Sequence, residues 1–117
     1  MDSILTSIKK LLGITEEYEH FDPDIIMHIN SVFMTLQQLG VGPENGFSIR
    51  DEDATWDDFL PAGIKLESAK TYMYMKVRLA FDPPTSSAML QAMERQASEL
   101  EWRLNVAVDP APTISTN

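Results

Sequence analysis

Apolar residues along this chain recur at helical rather than strand spacing. The first run, Ile4, Leu5, Ile8, Leu11 and Leu12, shares one face of a short helix. Asp2 or Ser3 can cap it, Lys9 and Lys10 suit its negative end, and Gly13 stops it. A second helix starts at Asp22-Pro23-Asp24, with Asp22 at the N-cap and Pro23 at the first helical position, and runs to Leu39 before Gly40. At 100° per residue, Ile25, Ile26, Ile29, Val32, Phe33, Leu36 and Leu39 fill an arc of about 140°, which is a core face. Met27 and Met34 fall on the opposite side, among Asn30, Ser31 and Gln38.

Turn formers crowd residues 41–46, and Phe47-Ser48-Ile49 then alternates like a short strand, so this stretch folds back as a small hairpin or an ordered loop. Thr55 and Asp58 resemble a capping box and open one helical turn that Pro61 ends. The third long helix spans Gly63 to Phe81. Ile64, Tyr72, Met75 and Leu79 lie on one side of it and Leu66, Ala69, Met73, Val77 and Ala80 on another, so it is the central helix, contacted on more than one side. Asp82-Pro83-Pro84 breaks it, and Ser86 or Ser87 caps the fourth helix. There Met89, Leu90, Met93, Ala97, Leu100 and Leu104 form one stripe, and Trp102 points away from it beside Arg95. Residues 105–117 carry two prolines and no periodicity, and Val106 and Val108 alternate with small residues, which predicts an extended tail. The fold class is therefore mainly α: a small bundle of four helices plus a short helical turn, with a β-like loop or hairpin between helices two and three. Residues 1–104 form a single helical domain and 105–117 the tail.

Composition narrows what such a bundle does. With 44% hydrophobic and 23% charged residues the 117-residue chain has material for a core. Eighteen acidic against nine basic residues give a net charge of −9. That balance argues against a nucleic-acid-binding surface, since none of the nine cations cluster beyond pairs, and against an anionic-membrane surface. The absence of cysteine excludes disulfides, thiolate nucleophiles and thiolate-held metals. No apolar run reaches membrane-spanning length, and MDSILTSIKK lacks the pattern of a signal peptide.

The two histidines, His20 and His28, have carboxylates nearby, but helix packing alone does not bring them together, and Asp24–His28 reads as a solvated helical pair. The acidic run 51–58 lacks the glycine and terminal glutamate of a calcium loop. No phosphate-binding, zinc-protease or nucleophile-elbow motif occurs. No catalytic residue, metal ligand or cofactor site is expected, and no enzyme activity. The surplus apolar residues say more. Met27, Met34, Tyr74 and Trp102 lie off the main stripe of their helices, and with Val106 and Val108 they are the candidate interface residues. Taken singly, each of Met27, Met34, Tyr74 and Trp102 is better explained by an extra core contact; as a set, with a third helix apolar on several sides, they make a protein–protein interface competitive.

Several stretches together resemble the head–tail connector (adaptor) proteins of tailed bacteriophages: FDPDIIMHINSVFMTLQQLGVGPENGF (21–47), TWDDFL (55–60), KTYMYMKVRLAFDPPTSS (70–87) and LEWRL (100–104). The resemblance covers residues 1 to about 106. It implies a helical, structural virion subunit that assembles with itself into a ring of about a dozen copies beneath the portal. Its partners would be the portal protein and a tail-side connector or tail protein. DNA would pass through without specific binding, and no membrane is involved. The subunit would wait in the host cytoplasm and end at the head–tail interface of the virion. On that reading Glu16, Glu17, Glu19, Asp51, Glu52, Asp53, Asp57 and Asp58 are candidates for an acidic channel wall that repels phosphates; they equally serve solubility. The alternative is a small acidic interaction protein, a DNA mimic or an inhibitor of a partner with a basic site.

Overall fold

The computed structural model describes residues 3–108. Ser3 caps the first helix, α1 (Ile4–Leu11), its hydroxyl accepting from the Thr6 N–H at 3.2 Å. The buried arc of α1 is Ile4, Leu5, Ile8 and Lys9, whereas Leu11, expected on that face, is exposed. The arc is rotated because Lys9 points inward. Its ammonium donates to the backbone carbonyls of Glu16 at 3.0 Å and Tyr18 at 2.8 Å, and lies 2.9 Å from Asp22 Oδ1. The Asp22 oxygen sits off the direction of a good hydrogen bond, so that contact is electrostatic. Two carbonyls and one carboxylate give the three N–H groups the surroundings a buried charge requires.

The second helix, α2 (Asp22–Gln38), starts one residue earlier than expected. Phe21 occupies the N-cap and makes no side-chain cap bond, and Asp22 sits inside the first turn because its carboxylate serves Lys9. Ile25, Ile29, Val32, Phe33 and Leu36 are buried, and Ile26 and Leu39 are half-buried against them. The helix ends at Gly40 (φ 83°), where Val41 N–H reaches Leu36 O at 2.8 Å and Gly40 N–H reaches Gln37 O at 2.9 Å. This paired closure uses the left-handed conformation that glycine adopts without strain.

Of the two forms open to residues 41–55, the ordered loop is the one that forms. The chain pairs with α2 rather than with itself: Asn30 Nδ2 donates to Ile49 O at 3.0 Å and Ile49 N–H donates to Asn30 Oδ1 at 2.8 Å. One side-chain amide thus supplies both halves of a strand-like pairing. At Gly42 (φ 96°) a Cβ would lie 2.4 Å from the Phe59 ring, so backbone and aromatic ring meet only because the residue is glycine. The one-turn helix α3 (Trp56–Phe59) is closed by the Thr55 N–H donating to Asp58 Oδ2 at 2.9 Å. Its Trp56 Nε1 donates to Ser7 Oγ of α1 at 2.9 Å. Phe33, Phe47 and Phe59 cluster at ring separations of 4.7 to 5.5 Å and join loop to core.

The remaining helices are α4 (Ile64–Phe81) and α5 (Ser87–Val108). The central position expected for α4 is the one found: α2 and α5 pack against it on separate sides and barely touch each other. Phe21 and Phe81 meet edge-on at 5.3 Å, which sets α2 antiparallel to α4. Tyr72, fully buried, donates its O–H to Glu101 Oε2 at 2.6 Å and so ties α4 to α5. Burial first, and then the Glu101 carboxylate, push the Tyr72 hydroxyl well above its ordinary pKa of 10.0.

Two expectations about α5 are corrected. Met89 is exposed rather than part of a buried stripe, because near the turn into α5 only α4 covers it. Residues 105–108, expected to open an extended tail, are helical, since α5 continues through Val108. Nothing in the sequence disfavours helix until Asp109, which precedes Pro110. Residues 109–117 lie outside the described residues, as does Asp2. Among the described residues no helix is long and apolar enough to cross a membrane.

Replacing Lys9 by methionine should cost about 2–4 kcal/mol by leaving Asp22 and two carbonyls without their cation, and adding Asp22→Leu should recover part of that loss. Urea unfolding of the single and double variants measures both. Tyr72 makes a separate contribution at high pH. It stays protonated in the fold while the unfolded chain loses that proton above about pH 10, so its contribution falls by about 1.4 kcal/mol per pH unit there. Tyr72→Phe should flatten this alkaline loss in melts from pH 9 to 11.

Candidate interaction surface

The chemistry-bearing residues do not converge. His20 is exposed with its ring 5.0 Å from that of Phe21, and His28 is half-buried with its ring 6.4 Å from that of Phe81. Among the described residues no three His, Asp or Glu side chains are placed to share a metal ion. One groove along α4 is lined by Gly63, Ile64, Glu67, Ser68, Thr71 and Leu100. Another is lined by Lys76, Leu79, Glu94, Ala97, Ser98 and Glu101. Neither presents a nucleophile beside a base.

The apolar candidates separate into two groups. Met27 is 59% exposed, Met34 64%, Trp102 66% and Val106 48%, values far above what a core side chain keeps. Tyr74 is different. It is half-buried against the core, and its hydroxyl accepts from Arg78 Nη1 at 3.1 Å, which settles it as packing with a polar rim. Val108 ends α5. Met27 and Met34 stand on the side of α2 opposite its core residues, and Trp102 and Val106 on the side of α5 opposite Ala97 and Leu104. Because α4 separates α2 from α5, the structure brings each pair together on its own helix and keeps the pairs apart.

Periodicity did not single out Leu11 (55% exposed), Tyr18 (48%), Ile64 (87%) or Met89 (59%). Ile64 carried a readable signal: it follows Gly63 directly, so it occupies the first turn, where the helix has little to pack against.

All eight acidic candidates, Glu16, Glu17, Glu19, Asp51, Glu52, Asp53, Asp57 and Asp58, are exposed. They form two groups beyond opposite ends of α1, whose 8 residues span about 12 Å. Residues 16–19 follow its C-terminus. Residues 51–58 adjoin its N-terminus, where Ile4 N–H donates to Ala54 O at 3.0 Å. Between the groups on one side lie Lys10 and Lys70, so the acidic surface is interrupted there. Two of the acids also shape the loop: Asp51 Oδ1 accepts from the Asp53 N–H at 2.9 Å, and Asp58 closes α3.

A protein-family model described as phage connector protein matches residues 4–111. No curated protein and no solved structure matches.

The exposure difference generates a stability test. Met27→Ala, Met34→Ala and Trp102→Ala should each change unfolding free energy by no more than about 0.5 kcal/mol, the range of ordinary surface substitutions. Tyr74→Ala should cost about 2 kcal/mol, half the loss of a fully buried aromatic. Denaturant titration of the four variants checks the contrast.

Proposed function

The chain belongs to the phage connector protein family, and from that premise we propose that it is a structural subunit of the virion's head–tail junction. Copies assemble into a ring beneath the portal, join the portal to the next tail-side protein, and surround the channel that DNA traverses. The subunit resides in the host cytoplasm before assembly and in the virion afterwards. The match over residues 4–111 carries this reading, because it spans α1 to the end of α5 rather than one motif. The dispersal of the candidate chemical groups accords with a structural rather than an enzymatic part.

Two physical features support the reading. Exposed methionine and tryptophan side chains on opposite sides of a helical layer are what lateral contacts need. The exposed carboxylates at the two ends of α1 suit a surface that DNA must slide past, since a wall that repels phosphate holds no counterion-release sites for it. In this arrangement the loop 41–55 carries Asp51, Glu52 and Asp53 toward the channel.

Electron microscopy of the protein mixed with the phage portal should show an added ring on the portal's tail side, and a portal that remains bare would overturn the connector reading. Charge reversal tests the lining separately. Glu52→Lys with Asp53→Lys, side chains that hold no hydrogen bond in the loop, should leave folding intact and confer salt-sensitive DNA retention on assembled rings, at least tenfold over the unaltered protein. Equal retention by both would remove these residues from the channel wall.

A further inference from the structure

The asparagines among the described residues, Asn30, Asn45 and Asn105, sit in different surroundings. Asn30 and Asn105 are helical, and the Asn30 amide is engaged through both its atoms with Ile49. Asn105 precedes Val106, whose branched side chain crowds the peptide nitrogen between them. Asn45 is exposed in a loop and precedes Gly46, which has no side chain to shield its peptide nitrogen. The amide carbon of an asparagine so placed is open to attack by the nitrogen that follows it in the chain.

In the closed loop that nitrogen is occupied. Glu44 and Asn45 form the corner of a turn in which the Gly46 N–H donates to Pro43 O at 2.9 Å. Gln37, exposed near the end of α2, holds the turn shut. Its Nε2 donates to Glu44 O at 3.1 Å, and its Oε1 lies so near Gly46 that a Cβ there would come within 2.8 Å. One side-chain amide thus touches the residues on both sides of Asn45. With its N–H committed to Pro43 O, the Gly46 nitrogen can neither lose its proton nor swing toward Asn45 until the turn opens.

We propose that Asn45 is a site of spontaneous deamidation and that Gln37 governs its rate by keeping the turn closed. Once the turn opens, the Gly46 nitrogen gives its proton to hydroxide and bonds to Asn45 Cγ. The Cγ–Nδ2 bond breaks, the leaving nitrogen takes a proton from water to depart as ammonia, and a cyclic imide remains. Water then opens the ring. Attack at Cγ leaves aspartate at position 45, whereas attack at the main-chain carbonyl leaves isoaspartate, in which the backbone runs through the former side chain and is one carbon longer. Either product adds a negative charge beside Glu44. Only the longer backbone draws the Gly46 N–H away from Pro43 O. Phe47 follows directly and packs its ring against Phe33 at 5.0 Å and Phe59 at 5.5 Å, so the isoaspartyl form loosens the loop's aromatic anchor and the aspartyl form does not.

The full chain, incubated at neutral and alkaline pH and then sequenced by mass spectrometry, tests this. Residue 45 should gain the amide-to-acid mass increment before residues 30 and 105, at a rate that rises with pH. Gln37→Ala should speed the conversion about fivefold, the worth of one exposed hydrogen bond, whereas Gln38→Ala, its exposed neighbour, should leave the rate unchanged. Unfolding in urea should also accelerate it, because every turn is then open. Conversion of residue 30 or 105 ahead of residue 45 would overturn the site. Equal rates in the unaltered chain, in Gln37→Ala and in urea would overturn the governing role of the turn. Asn45→Asp should melt with the unaltered chain and the separated isoaspartyl fraction below it; identical melting of the two would overturn the displacement of Phe47.

Discussion

The buried ammonium of Lys9 fixes the geometry on which the first half of the molecule depends. It joins the last turn of α1 to the carbonyls of Glu16 and Tyr18 and to Asp22 at the start of α2. Both helices and the acidic connection between them are thereby held at one point. The cost of burying a cation is met by acceptors drawn from three consecutive parts of the chain. Moving any one of them strands the charge, so the entry angle of α2 is not free to vary. From α2 the order passes to α4 and from α4 to α5, because α4 is the helix both neighbours use.

How much of this was legible in the sequence follows from which signals are local. The core face of α2 was readable because seven apolar residues repeat at helical spacing, and α4 was readable as central because its apolar residues surround it. The break at Asp82-Pro83-Pro84 and the capping carboxylate of Asp58 were readable because proline geometry and caps act over a few residues. The role of Lys9 was not. A lysine near a helix C-terminus reads as a dipole partner, and its burial depends on carbonyls seven and nine residues away. The same connection took Asp22 from its expected cap and turned Leu11 outward. Asn30 was equally hidden, since an asparagine on a polar helix side shows no sign of the loop it will hold.

The candidate surface was legible to the same depth. Residues off a helix stripe are either extra core or exposed, and only packing distinguishes the two. Met27, Met34 and Trp102 stand out in solvent, whereas Tyr74 is drawn against the core beside Arg78. Met89 required knowledge of where neighbouring helices stop. Periodicity describes one helix, but exposure belongs to the assembly of helices around it.

The Asn30 clamp has a mechanical consequence. Two hydrogen bonds of opposite direction hold Ile49 to the middle of α2, on the stretch of helix that also carries Met27 and Met34. Because one bond donates and the other accepts, the clamp fixes Ile49 in orientation as well as in position against the helix. Downstream, Ala54 O accepts from the Ile4 N–H at 3.0 Å, so Arg50 through Asp53 are strung between an anchor on α2 and one on α1. The acidic loop is a span with two piers, one on each of the first two helices.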